Sequence, residues 1–269
     1  MCGSGSWAGL FGLPTARADH RSGITPNPEG EALCVCDVED TPGPVRYRGI
    51  VLTVLLTRHG HTDRSEPEQY LGQRLPAALS ARGRKDVRAL ARRLATVPID
   101  RVLTSPLSRA VDTAELLVRG RDITVELDER LTELDYGAWE GHTLEEIERL
   151  FPGEHEQYER DPATHHVGGG ESGYEVVARL APLFDELVGW AKQGKARAER
   201  TCVVVGHSSV NRIALAMLLG VELNDYRRRF DQDWANLTVL YWPSRASGPV
   251  LRLSNDVSHA RGIRGVTWG

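Results

Sequence analysis

Leu55-Leu56-Thr57-Arg58-His59-Gly60-His61-Thr62 decides how this chain is built. The apolar run from Val51 to Thr57 has the length and composition of a buried strand, and it empties into a turn carrying a cation, an imidazole and a glycine. Arginine can hold two phosphate oxygens through its planar fork. A neutral imidazole can accept a phosphoryl group covalently. Gly60 would let the backbone pass close to a ligand. Far along the chain, Thr201-Cys202-Val203-Val204-Val205-Gly206-His207-Ser208-Ser209 repeats the arrangement: a buried-type strand, then Gly-His, then a helical pattern.

Working outward, Val102–Thr104, Ile123–Leu127 and Leu237–Tyr241 also read as strands. Helical stripes lie between the strands: Val87, Leu90, Ala91 and Leu94; Val177, Leu180, Phe184 and Leu187; Val210, Ile213, Ala214 and Met217. Gly220 falls where a helix C-cap is expected. This alternation implies an α/β fold, a three-layer α/β/α sandwich around a mostly parallel sheet. In such sheets ligands bind beyond the carboxyl ends of the strands, so His59 and His207 are expected to meet there.

Two further segments carry chemistry. In Asp100–Ala110, Ser105 is placed to cap a helix and Pro106 to open it, which sets Arg109 in the first turn, where free N–H groups favour an anion. In Arg130–Gly141, the acids Glu133, Asp135 and Glu140 are embedded among Leu131, Leu134, Tyr136 and Trp139.

Arg-His-Gly-x-Thr, Ser-Pro-Leu-x-Arg-Ala, Glu-x-x-x-Gly-x-Trp-Glu-Gly and the late Gly-His, in this order from about Val51 to Trp242, resemble the histidine phosphatase (phosphoglycerate-mutase-like) superfamily, and within it the phosphatases. The resemblance implies that His59 is the phosphate-accepting nucleophile. It also implies that Arg58, Arg109 and a protonated His207 surround the phosphoryl oxygens, and that Glu133 protonates the leaving group. Gly60, Thr62, Ser65 and Ser208 join Arg58 and Arg109 as expected substrate contacts. Many members carry Asn where Ser65 stands and Gly-Gly where Ser208-Ser209 stand; the 71–80 segment lacks the aspartate often found there.

The implied chemistry is a metal-independent phosphomonoesterase working through phosphohistidine on a small phosphate ester, with no cofactor. Phosphoglycerate mutase-type transfer is the alternative; the Glu133-to-His207 interval is short for a cofactor-dependent mutase, which favours water access. A non-catalytic phosphoester binder is a third possibility, set against by the full set of Arg58, His59, Arg109, Glu133 and His207. His59-Gly60-His61-Thr62-Asp63 also fits a zinc pattern, but Arg64 puts a cation where another histidine would be wanted.

A formal net charge of −4 argues against a nucleic-acid-binding partner. No run is long enough to span a bilayer, and the cytoplasm is the expected location. Four cysteines, with Cys34 and Cys36 near the start and Cys202 in a strand, outline neither a disulfide framework nor a complete zinc site. Oligomeric state is left open. Residues 1–50, rich in Gly and Pro, are expected to form a poorly ordered extension before the catalytic domain of 51–269. Residues 140–173 are expected to lid the pocket, with His142, His155, Tyr158, His165 and His166 as candidate substrate contacts.

Overall fold

The computed structural model describes residues 52–193, 199–244 and 248–261. The expectation for residues 1–50 lies outside them. A six-stranded sheet runs in the order β3-β2-β4-β1-β5-β6, with β1 Leu52–Arg58, β2 Arg101–Thr104, β3 Val125–Leu127, β4 Arg200–Gly206, β5 Leu237–Trp242 and β6 Val250–Asp256. β3, β2, β4 and β1 are parallel, β5 is antiparallel to β1, and β6 is antiparallel to β5.

Both faces of the central strands are covered, which is why they read as unbroken apolar runs. Val54, Leu56, Cys202 and Val204 pack on one side with helices α5 (Gly173–Lys192) and α6 (Ser208–Leu219). Leu55, Val203 and Val205 pack on the other with α1 (Ala81–Arg93) and α2 (Ser108–Val118). This is the expected three-layer sandwich. Gly220 closes α6 in the left-handed region at φ 68°.

Three expectations change. Helix α2 starts at Ser108, with Leu107 as a cap that makes no side-chain bond. The Ser105 hydroxyl instead accepts the Leu107 N–H at 3.3 Å, spending its capping capacity on the turn over Pro106. Arg109 still falls in the first turn. Strand β3 is shorter than Ile123–Leu127. Strand β6 went unread because it is a half-exposed edge strand whose apolar side is little more than Leu251 and Leu253.

Register brings the site together. Thr57 lies opposite Val205 and Arg58 opposite Gly206, while Thr104 of β2 is level with Val205. The three strands therefore end side by side, and the His59 N–H donates to the Gly206 carbonyl at 3.0 Å. Helix α1 presses against the turn after β1. A Cβ on Gly60 would sit 2.8 Å from Val87 Cγ2, and one on Gly83 would strike the His61 carbonyl. Gly60 is thus required by packing against α1.

Between Glu140 and Gly173 lie α3 (Leu144–Leu150) and α4 (Glu154–Arg160). The segment packs into the core on the α5 and α6 side: Ile147 and Tyr158 are fully buried in it with Trp139, and the Tyr158 and Tyr226 hydroxyls bond at 2.7 Å. Tyr158 is therefore packing, not an available substrate contact. His142 and His155 lie 3.6 Å from Glu146 and Glu159, and His166 meets Glu175 at 3.3 Å. His165 Nε2 is buried without a partner. No described helix is long and apolar enough to cross a membrane.

Candidate active site

His59 follows β1, and its ring is held by the residue after it. Nδ1 lies 2.8 Å from the Gly60 carbonyl, which can only accept, so Nδ1 carries the proton. Burial, together with the charges of Arg109 and Arg58, pushes the ring well below the usual histidine range. The imidazole is neutral at pH 7 and Nε2 is a free lone pair. The His207 ring lies 5.1 Å away, centroid to centroid, tilted by 59°.

His207 is the residue before α6 and is fully buried. Arg109 Nε donates to its Nδ1 at 3.2 Å. Burial, then the Arg109 charge, then His59 and Arg58 push this ring well below its usual range too. The expectation of a protonated His207 is corrected: the ring is neutral, and with Nδ1 accepting, its proton is on Nε2. That Nε2–H is buried without a partner, as is the Nε–H of Arg58. Buried donors left unpaired in a folded protein are uncommon and point to a missing acceptor.

Arg109 is held by two backbone carbonyls, Leu71 at 3.1 Å and Gly72 at 2.7 Å, both taking Nη2. Burial pushes its guanidinium down to about 10, which leaves it cationic at neutral pH. Arg58 donates Nη1 to the Gln232 carbonyl at 2.9 Å and Nη2 to Glu68 at 3.1 Å, with its guanidinium 4.8 Å from the Trp234 ring centre.

Glu133 is 4% exposed. Its carboxylate accepts the N–H groups of Ser209 at 3.1 Å, Val210 at 3.0 Å and Leu134 at 2.9 Å, which sets it on the start of α6 beside His207. Asp135, its acidic rival, instead takes Arg74 at 2.9 Å and the Gly137 N–H at 2.8 Å. Ser208 opens α6 directly after His207. Thr62 and Ser65 are occupied with one another: Ser65 Oγ accepts the Thr62 N–H and meets Thr62 Oγ1, each at 3.0 Å. They shape the turn, as does the Gly60 N–H, which donates to Thr113 Oγ1 at 3.0 Å.

The zinc pattern disperses. His61 faces Ser80 at 2.9 Å and Glu66 at 3.2 Å, while Asp63 accepts the Ala78 N–H. Among the described residues no group of three or more His, Cys, Asp or Glu side chains is gathered to hold a metal ion.

Sequence reading missed the segment before β5. Gln232, Trp234 and Asn236 line Arg58, and Asn236 Oδ1 accepts the Arg58 N–H at 2.9 Å. Because β5 is antiparallel to β1, its beginning lies at the end where β1 finishes. The polar cluster Asp231-Gln232-Asp233 ahead of an apolar run was the available signal.

The neutral rings make stability depend on acid. An unfolded chain's histidines protonate near their ordinary value of about 6.5, whereas the folded rings resist. Below that value the unfolded state binds more protons, so stability falls as pH falls. The melting temperature is expected to drop from pH 7.5 to 5.5, and to drop less in His207→Asn. An equal drop in both proteins would contradict the neutral assignment.

Comparison with known proteins finds relatives along most of the chain. A glucosyl-3-phosphoglycerate phosphatase of Mycobacterium tuberculosis is 34% identical over 211 residues, covering 77% of this chain and 94% of that protein. Phosphoserine phosphatase 1 of Hydrogenobacter thermophilus is 29% identical over 196 residues, covering 72% and 89%. The native structure of a mycobacterial glucosyl-3-phosphoglycerate phosphatase superposes with a TM-score of 0.68 at 32% identity, over 77% of this chain and 99% of that one. The family model described as "Histidine phosphatase superfamily (branch 1)" matches residues 54–257. A match running from within β1 to the residue before Ser258 makes this chain a member of that superfamily, and so an enzyme of the phosphatase or mutase-like kind.

Proposed function

We propose that the chain is a metal-independent phosphomonoesterase that works through a phosphohistidine at His59 on a small phosphate ester. One observation carries this: the ring of a neutral His59, with its proton on Nδ1, lies against the ring of His207, and Arg58 and His207 each hold a buried N–H donor without a partner. A phosphoryl group supplies the acceptors those donors lack and the electrophile that the lone pair needs.

In the first step His59 Nε2 forms a bond to phosphorus as the P–O ester bond breaks. Glu133 gives a proton to the departing oxygen and is left as the carboxylate. Arg58, Arg109 and the His207 Nε2–H hold the non-bridging oxygens, where charge gathers in the transition state. In the second step the Glu133 carboxylate takes a proton from water, whose oxygen attacks phosphorus and breaks the P–N bond. Phosphate leaves and both residues return to their starting states.

Hydrolysis is favoured over transfer by the short lid segment and by the phosphatase names of the relatives. Those relatives are named for phosphoserine and glucosyl-3-phosphoglycerate, and these two esters head the substrate screen. The test is p-nitrophenyl phosphate hydrolysis by the wild type in excess EDTA. Full activity is expected. Activity lost to EDTA and restored by zinc would return the chemistry to His59, His61 and Asp63.

A further inference from the structure

We propose that Glu140 is a positioning residue that sets Arg109, and through Arg109 the tautomer of His207, by holding the 71–74 segment in place. The inference rests on the reading of Arg109 and His207 as phosphoryl-binding groups.

Glu140 follows Trp139 in the chain but faces a segment far away in sequence. Its carboxylate accepts the backbone N–H of Gln73 in a close contact and that of Arg74 at 3.1 and 3.2 Å. The arginine of that segment does not pair with it; Arg74 reaches Asp135 instead. Glu140 therefore spends its charge on backbone amides. Gly72 makes room for this, since a Cβ there would collide with the Glu140 carboxylate.

Anchoring the N–H groups at 73 and 74 fixes the peptide units just before them. Those units present the Leu71 and Gly72 carbonyls, both of which accept from Arg109 Nη2. With Nη2 fixed, the planar guanidinium has little freedom, and Nε donates to His207 Nδ1. That bond keeps the His207 proton on Nε2, the ring nitrogen without a partner. The same segment also reaches the candidate acid: Gln73 Nε2 donates to the Glu133 carbonyl at 2.8 Å. A carboxylate bound to the backbone of 73 and 74 thus positions Arg109 and His207, as supporting hydrogen bonds do in well-ordered sites.

Glu140→Ala, in the full chain, is expected to lower kcat/KM for p-nitrophenyl phosphate by between about ten- and a hundredfold, the scale of a misplaced active-site group. The inhibition constant of inorganic phosphate should rise in parallel. Glu140→Gln keeps an acceptor oxygen and should recover to within about threefold of wild type, while in an Arg109→Lys background Glu140→Ala should add less than about twofold. A general loss of structure would give neither the rescue nor the non-additivity. Should Glu140→Ala fail to fold, Gly72→Ala displaces the carboxylate while keeping its charge, and the same loss and non-additivity are expected.

Glu140→Ala and Gly72→Ala that match wild type, while Arg109→Lys is impaired, would overturn this inference and leave the proposed function standing. A loss that multiplies fully with Arg109→Lys would overturn it as well. Arg109→Lys with wild-type turnover and phosphate inhibition would instead overturn the phosphoryl-pocket reading beneath it.

Discussion

His59→Ala will abolish turnover, lowering kcat by roughly 10⁴- to 10⁶-fold, the range seen when a covalent nucleophile is removed from an otherwise intact site. The loss should fall on kcat, because Arg58, Arg109 and His207 are not held by the His59 side chain. Arg58 is fixed by Gln232 and Glu68, Arg109 by Leu71 and Gly72, and His207 by Arg109. Phosphate should therefore inhibit residual activity, or bind in calorimetry, with an affinity near that of the wild type. A variant that keeps more than about a hundredth of wild-type kcat would remove His59 from the mechanism, since general positioning effects reach that scale on their own.

Glu133→Gln is the second large effect, and it should depend on the leaving group. An alkoxide needs a proton as the P–O bond breaks, and positioned proton transfer contributes about 10²- to 10⁴-fold. A nitrophenolate leaves well unaided. In kcat/KM, which reports transfer to His59, an alkyl ester such as phosphoserine should thus lose at least about a hundredfold while p-nitrophenyl phosphate loses less than about tenfold, and kcat should fall for both because water attack also uses Glu133. Glutamine is nearly isosteric and can still accept from the start of α6, so the helix end keeps a partner. If the leaving-group dependence appears in Asp135→Asn instead, the acid is misassigned. The ion pair of Asp135 with Arg74 and its bond from Gly137 argue for Glu133.

Much of this site is visible in the residues because the physics that places it is local. A run such as Leu52–Thr57 must be buried on both faces, and an arginine and a histidine directly after it must emerge at the strand's carboxyl end. The same holds for His207. Parallel pairing in matched register does the rest, so residues nearly at opposite ends of the domain become neighbours. Arg109 was legible although the cap was misplaced, because a start two residues later leaves it in the same first turn.

What sequence could not show depends on direction and on tertiary burial. An apolar run such as Leu237–Trp242 does not say which way the strand runs, and only the antiparallel direction brings Gln232, Trp234 and Asn236 to Arg58. Charge state was hidden for a related reason. A histidine facing phosphate is naturally imagined as a cation, but full burial beside Arg109 and Arg58 holds His207 neutral. The packing of Val87 against Gly60 was hidden likewise, since nothing in the sequence places the two together.

The central claim is a covalent phosphoryl group on His59, and chemical quench of the working enzyme tests it most directly. Wild type mixed with ³²P-labelled phosphoserine and stopped in denaturing alkali should yield labelled protein. The label should be stable in base, lost in acid, and map to the peptide containing Arg58-His59-Gly60, with none in His59→Ala. Rapid turnover with no label on the protein at any quench time, or a base-stable label on a different histidine, would contradict it.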